Sequence, residues 1–102
     1  MRTLDFLVDG QTLIRQGDFS KIIKGSKGYL QCKFDFSNNW STYQVAAIFE
    51  FKDITKMVQV EDCTCNVPDE VTDGGYFTIR LLGVKTSDMY FYTEKLLIEQ
   101  ED

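Results

Sequence analysis

The stretch Tyr29-Leu30-Gln31-Cys32-Lys33-Phe34-Asp35-Phe36 alternates without a break: Leu30, Cys32, Phe34 and Phe36 are apolar, and Gln31, Lys33 and Asp35 between them are polar. Successive side chains of a strand point to opposite faces, so this period of two describes a strand with one buried and one wet face. The same period recurs on either side. Leu4, Phe6 and Val8 share a face ahead of an Asp9-Gly10 turn. Tyr43, Val45, Ala47, Phe49 and Phe51 form a second inner face, and Phe77, Ile79 and Leu81 a third. Residues 89–98 read as a last long strand, with Tyr90, Tyr92, Leu96 and Ile98 on one side and Phe91 and Leu97 on the other.

Residues 57–67 break the rule. Val58 and Val60 set an even-numbered face, whereas Cys63, Cys65 and Val67 continue on odd numbers. A β-bulge near Glu61-Asp62 produces such a slip, and so do two adjacent strands or a bend. Pro68 cannot donate to a ladder and ends the segment.

Turn signals separate these stretches: Gly25–Gly28, Ser37-Asn38-Asn39, Lys52–Lys56, Asp73-Gly74-Gly75, and Gly83–Asp88. The count is about seven strands. A single layer cannot bury so many inner faces, so two packed sheets are expected. About seven short antiparallel strands in 102 residues predict an all-β, immunoglobulin-like two-sheet β-sandwich forming one domain over 1–102. A small barrel is the alternative. The Cys–Trp–Cys spacing of antibody domains is absent, so the likeness is one of architecture.

Composition agrees. Seven Val, seven Ile and nine Thr, with eight Phe, five Tyr and one Trp, stand against only two Ala, Ala46 and Ala47. β-branched and aromatic residues suit a pleated sheet, whereas helices favour Ala, Leu and Glu. The net charge of −5 lacks the basic footprint that nucleic acid requires, so no nucleic-acid partner is expected. No run of about 18 apolar residues is present, so no membrane span is expected. The start of the chain lacks a basic-then-apolar profile and is not read as a signal peptide. The three cysteines, Cys32, Cys63 and Cys65, are therefore expected to be reduced thiols of a protein made in a cytoplasm. Charge is uneven: residues 15–33 hold five bases and one acid, and residues 57–79 hold five acids and no base. Such polarity suits head-to-tail docking between copies, although scattered solvated faces are the simpler reading.

Nothing in the chain assembles a reaction. There is no His, the commonest general base and zinc ligand. Cys63-Thr64-Cys65 has ligand-like spacing, because residues i and i+2 of a strand share a face, but only Cys32 remains to complete a site. Buried packing is the default for such thiols. Asp62, Asp69, Glu70 and Asp73 lack the spacing of a calcium loop. Gly25-Ser26-Lys27-Gly28 is too short for a phosphate loop and precedes a strand. The chain is read as no enzyme, with no cofactor, no metal site and no catalytic residues. Trp40, at the entrance to a strand, is expected to cap the end of the core. The consecutive aromatics Tyr90, Phe91 and Tyr92 place rings on both faces of the last strand, and these three residues are the expected protein interface.

The order of landmarks carries a resemblance. Gly28-Tyr29-Leu30 leads to Lys33-Phe34-Asp35-Phe36 and Asn39-Trp40, then to Ala46-Ala47-Ile48-Phe49. Cys65-Asn66-Val67-Pro68-Asp69-Glu70-Val71 follows, then Gly75-Tyr76-Phe77-Thr78-Ile79, Gly83 and Tyr92-Thr93. Over residues 25–98 this resembles a small domain of tailed phages of Gram-positive bacteria. That domain is found at the N-terminus of baseplate upper proteins and in related fibre and head-fibre proteins. The resemblance implies an immunoglobulin-like sandwich that anchors a fibre or receptor-binding module to the virion. It implies no catalytic residues, and a structural role for Trp40, Phe49, Val67, Pro68 and Phe77. The family continues into a stalk or further modules. This sequence has no heptads for a trimeric stalk, which favours a decoration, adaptor or fibre-base role.

The expected function is therefore that of a phage virion structural protein (capsid decoration, fibre base, or tail or baseplate adaptor), made in the host cytoplasm and located in the virion. Its expected partners are phage structural proteins of the capsid, tail or fibre, and other copies of itself. The alternative is a small phage-encoded intracellular binding protein that inhibits a host or defence protein. A third reading is a carbohydrate-binding sandwich with Trp40, Tyr90 or Tyr92 as stacking platforms.

Overall fold

The computed structural model describes all residues, 1–102. Nine strands are present: β1 (Arg2–Asp9), β2 (Thr12–Gln16), β3 (Leu30–Phe36), β4 (Gln44–Phe51), β5 (Ile54–Gln59), β6 (Thr64–Asn66), β7 (Tyr76–Thr86), β8 (Met89–Tyr92) and β9 (Leu96–Glu99). Helix is limited to single 3-10 turns at Asn38–Trp40 and Asp69–Val71. One sheet has the order β2-β1-β3-β6, and the other β5-β4-β7-β8 with β9 also on β7. The all-β two-sheet architecture is as the alternation predicts. The strand count is higher, and the first sheet is mixed: β1 and β3 run parallel, with Phe6 beside Phe34.

The inner faces are those of the alternating residues. Leu4, Phe6, Val8, Leu30, Cys32 and Phe34 from one sheet meet Ala47, Phe49, Phe77, Ile79, Leu81 and Ile98 from the other in a single core cluster. Full burial of each such side chain contributes about 1.5–3 kcal/mol. Trp40 closes one end, buried against Phe36 at 5.3 Å between ring centroids, and its Nε1 donates to the Gly10 carbonyl at 3.0 Å.

Two departures from simple alternation explain the extra strands. The slip at residues 61–62 is not a bulge. Asp62 and Cys63 both take positive φ, 52° and 60°, while Glu61 and Thr64 exchange backbone hydrogen bonds of 3.0 and 2.9 Å across them. This is a two-residue reversing turn. It sends the chain from β5 in one sheet to β6 in the other, so residues 57–67 are two strands. The real interruption lies in the final segment. Leu82 faces Tyr92 and Ile79 faces Leu96, so three steps on β7 oppose four on the last strand. The extra residue falls between Thr93 and Leu96, and Thr93 is the last residue to keep the β7–β8 phase. Its N–H donates to the Leu81 carbonyl at 2.9 Å, and its hydroxyl accepts from the Leu81 N–H at 2.9 Å.

The connection from β2 to β3 is tied to both ends of the described chain. Arg2 Nη1 donates to the Lys21 carbonyl at 2.8 Å, and the Lys21 N–H donates to Glu101 Oε2 at 2.8 Å. Glu101 also forms a parallel bridge with Ile23.

Candidate protein-binding site

The break between Thr93 and Leu96 divides the set expected on one face, placing Tyr90 and Tyr92 opposite to Leu96 and Ile98. Phe91 turns inward, where its ring lies 4.5 Å from Trp40 and 5.1 Å from Tyr43, measured between centroids. Tyr90 and Tyr92 turn outward and are 57% and 38% exposed. Beyond the interruption Ile98 is inward and Leu97 outward. The expected trio is thus divided: Tyr90 and Tyr92 share a solvent face, and Phe91 supports the end of the core.

Tyr90 and Tyr92 belong to a larger surface, the outer face of the five-stranded sheet. The register sets its rows. Gln59, Ala46, Leu82 and Tyr92 lie side by side across β5, β4, β7 and β8, and Gln44, Val84 and Tyr90 form the next row. Met57, Ile48 and Arg80 form the row on the other side. Met57 is 62% exposed, and Val84 and Leu97 are also open to solvent. A groove of about 440 Å³ runs between Met57, Ala46, Leu82 and Val84. An outward sheet face is ordinarily polar, whereas these rows carry Ala46, Leu82, Val84 and two tyrosines with only Gln44 and Gln59 among them.

The two tyrosine rings meet edge to face, 6.3 Å apart at 88°. The Arg80 guanidinium lies 4.4 Å from the Tyr92 ring centroid, over its face. Arg80 Nε is buried and has no hydrogen-bond partner, so the cation is held by the ring and not by a carboxylate. The surface is therefore an apolar and aromatic stripe carrying one positive charge.

Sequence reasoning missed Ala46, Ile48, Met57, Arg80, Leu82 and Val84. The run Ala46-Ala47-Ile48-Phe49 carried the signal, since four successive apolar residues place apolar groups on both faces of β4.

The remaining candidates are dispersed. Cys63 is exposed in its turn, whereas Cys65 is buried and faces Cys32 across β6 and β3. The hydrogen bond that the Cys32 thiol donates to Cys65, together with burial and the neighbouring sulfur, pushes Cys32 well above its ordinary pKa. It is thus a protonated packing group. No group of three His, Cys, Asp or Glu side chains lies close enough to hold a metal ion. Lys27, in the glycine-flanked loop, is engaged: its Nζ donates to the Asp69 carbonyl at 2.8 Å and pairs with Asp73 at 2.6 Å. The basic and acidic segments thus neutralise each other partly within one chain. Trp40, 3% exposed, offers no stacking platform. A cleft of about 490 Å³ lies at that end of the sandwich, lined by Phe36, Asn38, Trp40, Tyr43, Val60 and Cys63 among others.

Among known proteins the chain matches no family model, no curated protein and no solved structure.

Proposed function

We propose that this domain is a structural protein of a phage virion, acting by protein–protein binding through the outer face of its five-stranded sheet. The observation that carries the binding reading is the row of Ala46, Leu82 and Tyr92 with Met57, Val84 and Tyr90 beside it, apolar where a free sheet face is ordinarily polar. Tyrosine suits such a surface, giving a large contact ring and a polar tip at low entropic cost. The virion assignment is supported by the order of landmarks shared with the phage baseplate and head-fibre domain. The corresponding partner is a capsid, tail or fibre protein presenting a complementary apolar face. Inhibition of a host or defence protein is the second reading. Its motivation, an acidic surface that blocks a basic groove, is weakened by the pairing of Asp73 with Lys27 and of Glu70 with Lys56.

Mass spectrometry of purified particles tests the virion assignment, with stoichiometric presence expected and absence overturning it. Incorporation of Tyr90→Ala and Tyr92→Ala tests the surface. At least one folded variant is expected to be excluded from particles, and normal incorporation of both would place the contact elsewhere.

A further inference from the structure

The two edges of the five-stranded sheet differ. At the β8–β9 edge the backbone is already taken. Gln11 Nε2 donates to the Tyr92 carbonyl at 2.9 Å, the Glu94 N–H donates to the Gln11 carbonyl at 3.0 Å, and Arg15 Nη2 donates to the Leu97 carbonyl at 2.6 Å. A neighbouring strand cannot add there without displacing these groups.

The β5 edge is open. Val60 donates to the Val45 carbonyl at 2.9 Å, which fixes the phase of the β4–β5 ladder. Backbone groups alternate along an antiparallel pair, so Ile54, Lys56 and Val58 turn theirs toward β4, and Thr55, Met57 and Gln59 turn theirs outward. Natural edges are commonly protected by proline, by a bulge or by a charged side chain aimed outward. β5 has no proline, its register with β4 is unbroken, and its one charged residue, Lys56, is drawn to Glu70 at 3.2 Å.

We propose that β5 pairs antiparallel with β5 of a second copy of this chain, about a two-fold axis through Met57. In that register Met57 faces Met57, and Thr55 faces Gln59 of the other copy, so every outward donor and acceptor finds a partner. No other two-fold register does this. Centring on Thr55 sets Met57 against Asp53 in the hairpin turn, and centring on Gln59 sets Met57 against Glu61. Charge favours the same arrangement. Lys52 and Lys56 lie at the start of the edge, and Glu61 and Asp62 lie just past its end. In this register Lys52 faces Asp62 of the other copy, and Asp53, the one acid at the basic end, faces Glu61. Antiparallel pairing brings the basic end of each copy to the acidic end of the other. The outer faces then lie on one side of a continuous sheet, with the two Met57 side chains joining their apolar surfaces. This inference is independent of the virion assignment, because it concerns the edge of the sheet and not what covers its face.

Sedimentation of the purified chain over a concentration series tests it, and a dimer is expected. Met57→Pro should fold, since the lost N–H points to solvent in the monomer, and should sediment as a monomer. Met57→Lys and Met57→Glu each place like charges at the axis, which costs several kcal/mol and weakens association by about 100-fold or more. An equimolar mixture of these two variants should restore the dimer. A wild-type chain that stays monomeric at hundreds of micromolar overturns the proposal. So does a dimer that persists in Met57→Pro and Met57→Lys, or a Lys–Glu mixture that stays monomeric.

Discussion

The ring of Trp40 lies against the backbone of Gly83: a Cβ placed on Gly83 would come within 2.8 Å of Trp40 Cζ3 and 3.1 Å of Cε3. No positive φ demands glycine at this position, so it is the indole that does. Gly83→Ala is expected to cost about 1–3 kcal/mol by overpacking, and Trp40→Ala about 3–5 kcal/mol by loss of a buried ring. The double variant should be less destabilised than the sum, because each change relieves the other. Denaturant unfolding of the four proteins measures the coupling, and strict additivity would show that the two groups do not press on each other.

The divided aromatic trio predicts opposite phenotypes for neighbours. Phe91→Ala removes a ring packed on Trp40 and Tyr43 and should lose on the order of 2 kcal/mol of stability. Tyr90→Ala removes a ring mostly in solvent and should stay within about 0.5 kcal/mol of the parent. Thermal melts of both variants decide this, and equal destabilisation would mean that β8 does not present alternate faces.

The Asp62-Cys63 turn holds a non-glycine residue at φ 60°. Left-handed backbone costs an L residue about 1–2 kcal/mol, and Asp-Gly is among the favoured pairs for such a turn. Cys63→Gly should therefore raise stability by about 1 kcal/mol. The same placement orders the thiols. A thiol-specific reagent should label Cys63 at once and reach Cys32 and Cys65 only on unfolding. Three equal labelling rates on the native protein would contradict it.

Acid should weaken the fold through two surface carboxylates. Asp18 is held below its ordinary 3.8 by hydrogen bonds from the Ser20 hydroxyl and N–H. Glu70 is held below its ordinary 4.5 by its own backbone N–H and by Lys56. A depressed folded pKa contributes stability above the unfolded value, which is lost as pH falls through the folded one. Melting temperature should thus begin to fall below about pH 4.5. Asp18→Asn and Glu70→Gln should each flatten that decline, and unchanged slopes would assign the acid sensitivity to other groups.

Much of the sandwich was legible because alternation is a local signal. Leu4, Phe6 and Val8, or Phe77, Ile79 and Leu81, need no knowledge of the partner strand to be placed inward. β2 was not legible, because only Leu13 in it is buried and the rest of its pattern is wet. The parallel pairing of β1 with β3 has no local mark at all. The break after Thr93 is hidden by composition, since threonine is a good strand residue, and it shows only where the Leu81 N–H turns to the Thr93 hydroxyl in place of its carbonyl. The β7–β8 register sets which aromatic rings reach solvent, and the break sets Leu96 and Ile98 on the opposite face from Tyr90 and Tyr92. The excess of aromatics in residues 90–92 was therefore readable, while their faces, and the contribution of Met57, Leu82 and Val84 from other strands, were not.

Lys21 is gripped from both directions, its carbonyl by Arg2 and its amide by Glu101. Glu101 is also held through its backbone, its N–H donating to the Ile22 carbonyl and its carbonyl accepting from the Lys24 N–H, each at 2.7 Å. Tension applied between residues 2 and 101 would therefore load this clasp together with the β1–β3 pairing that begins at Arg2, so that the connection between β2 and β3 shares the force with the packed sheets.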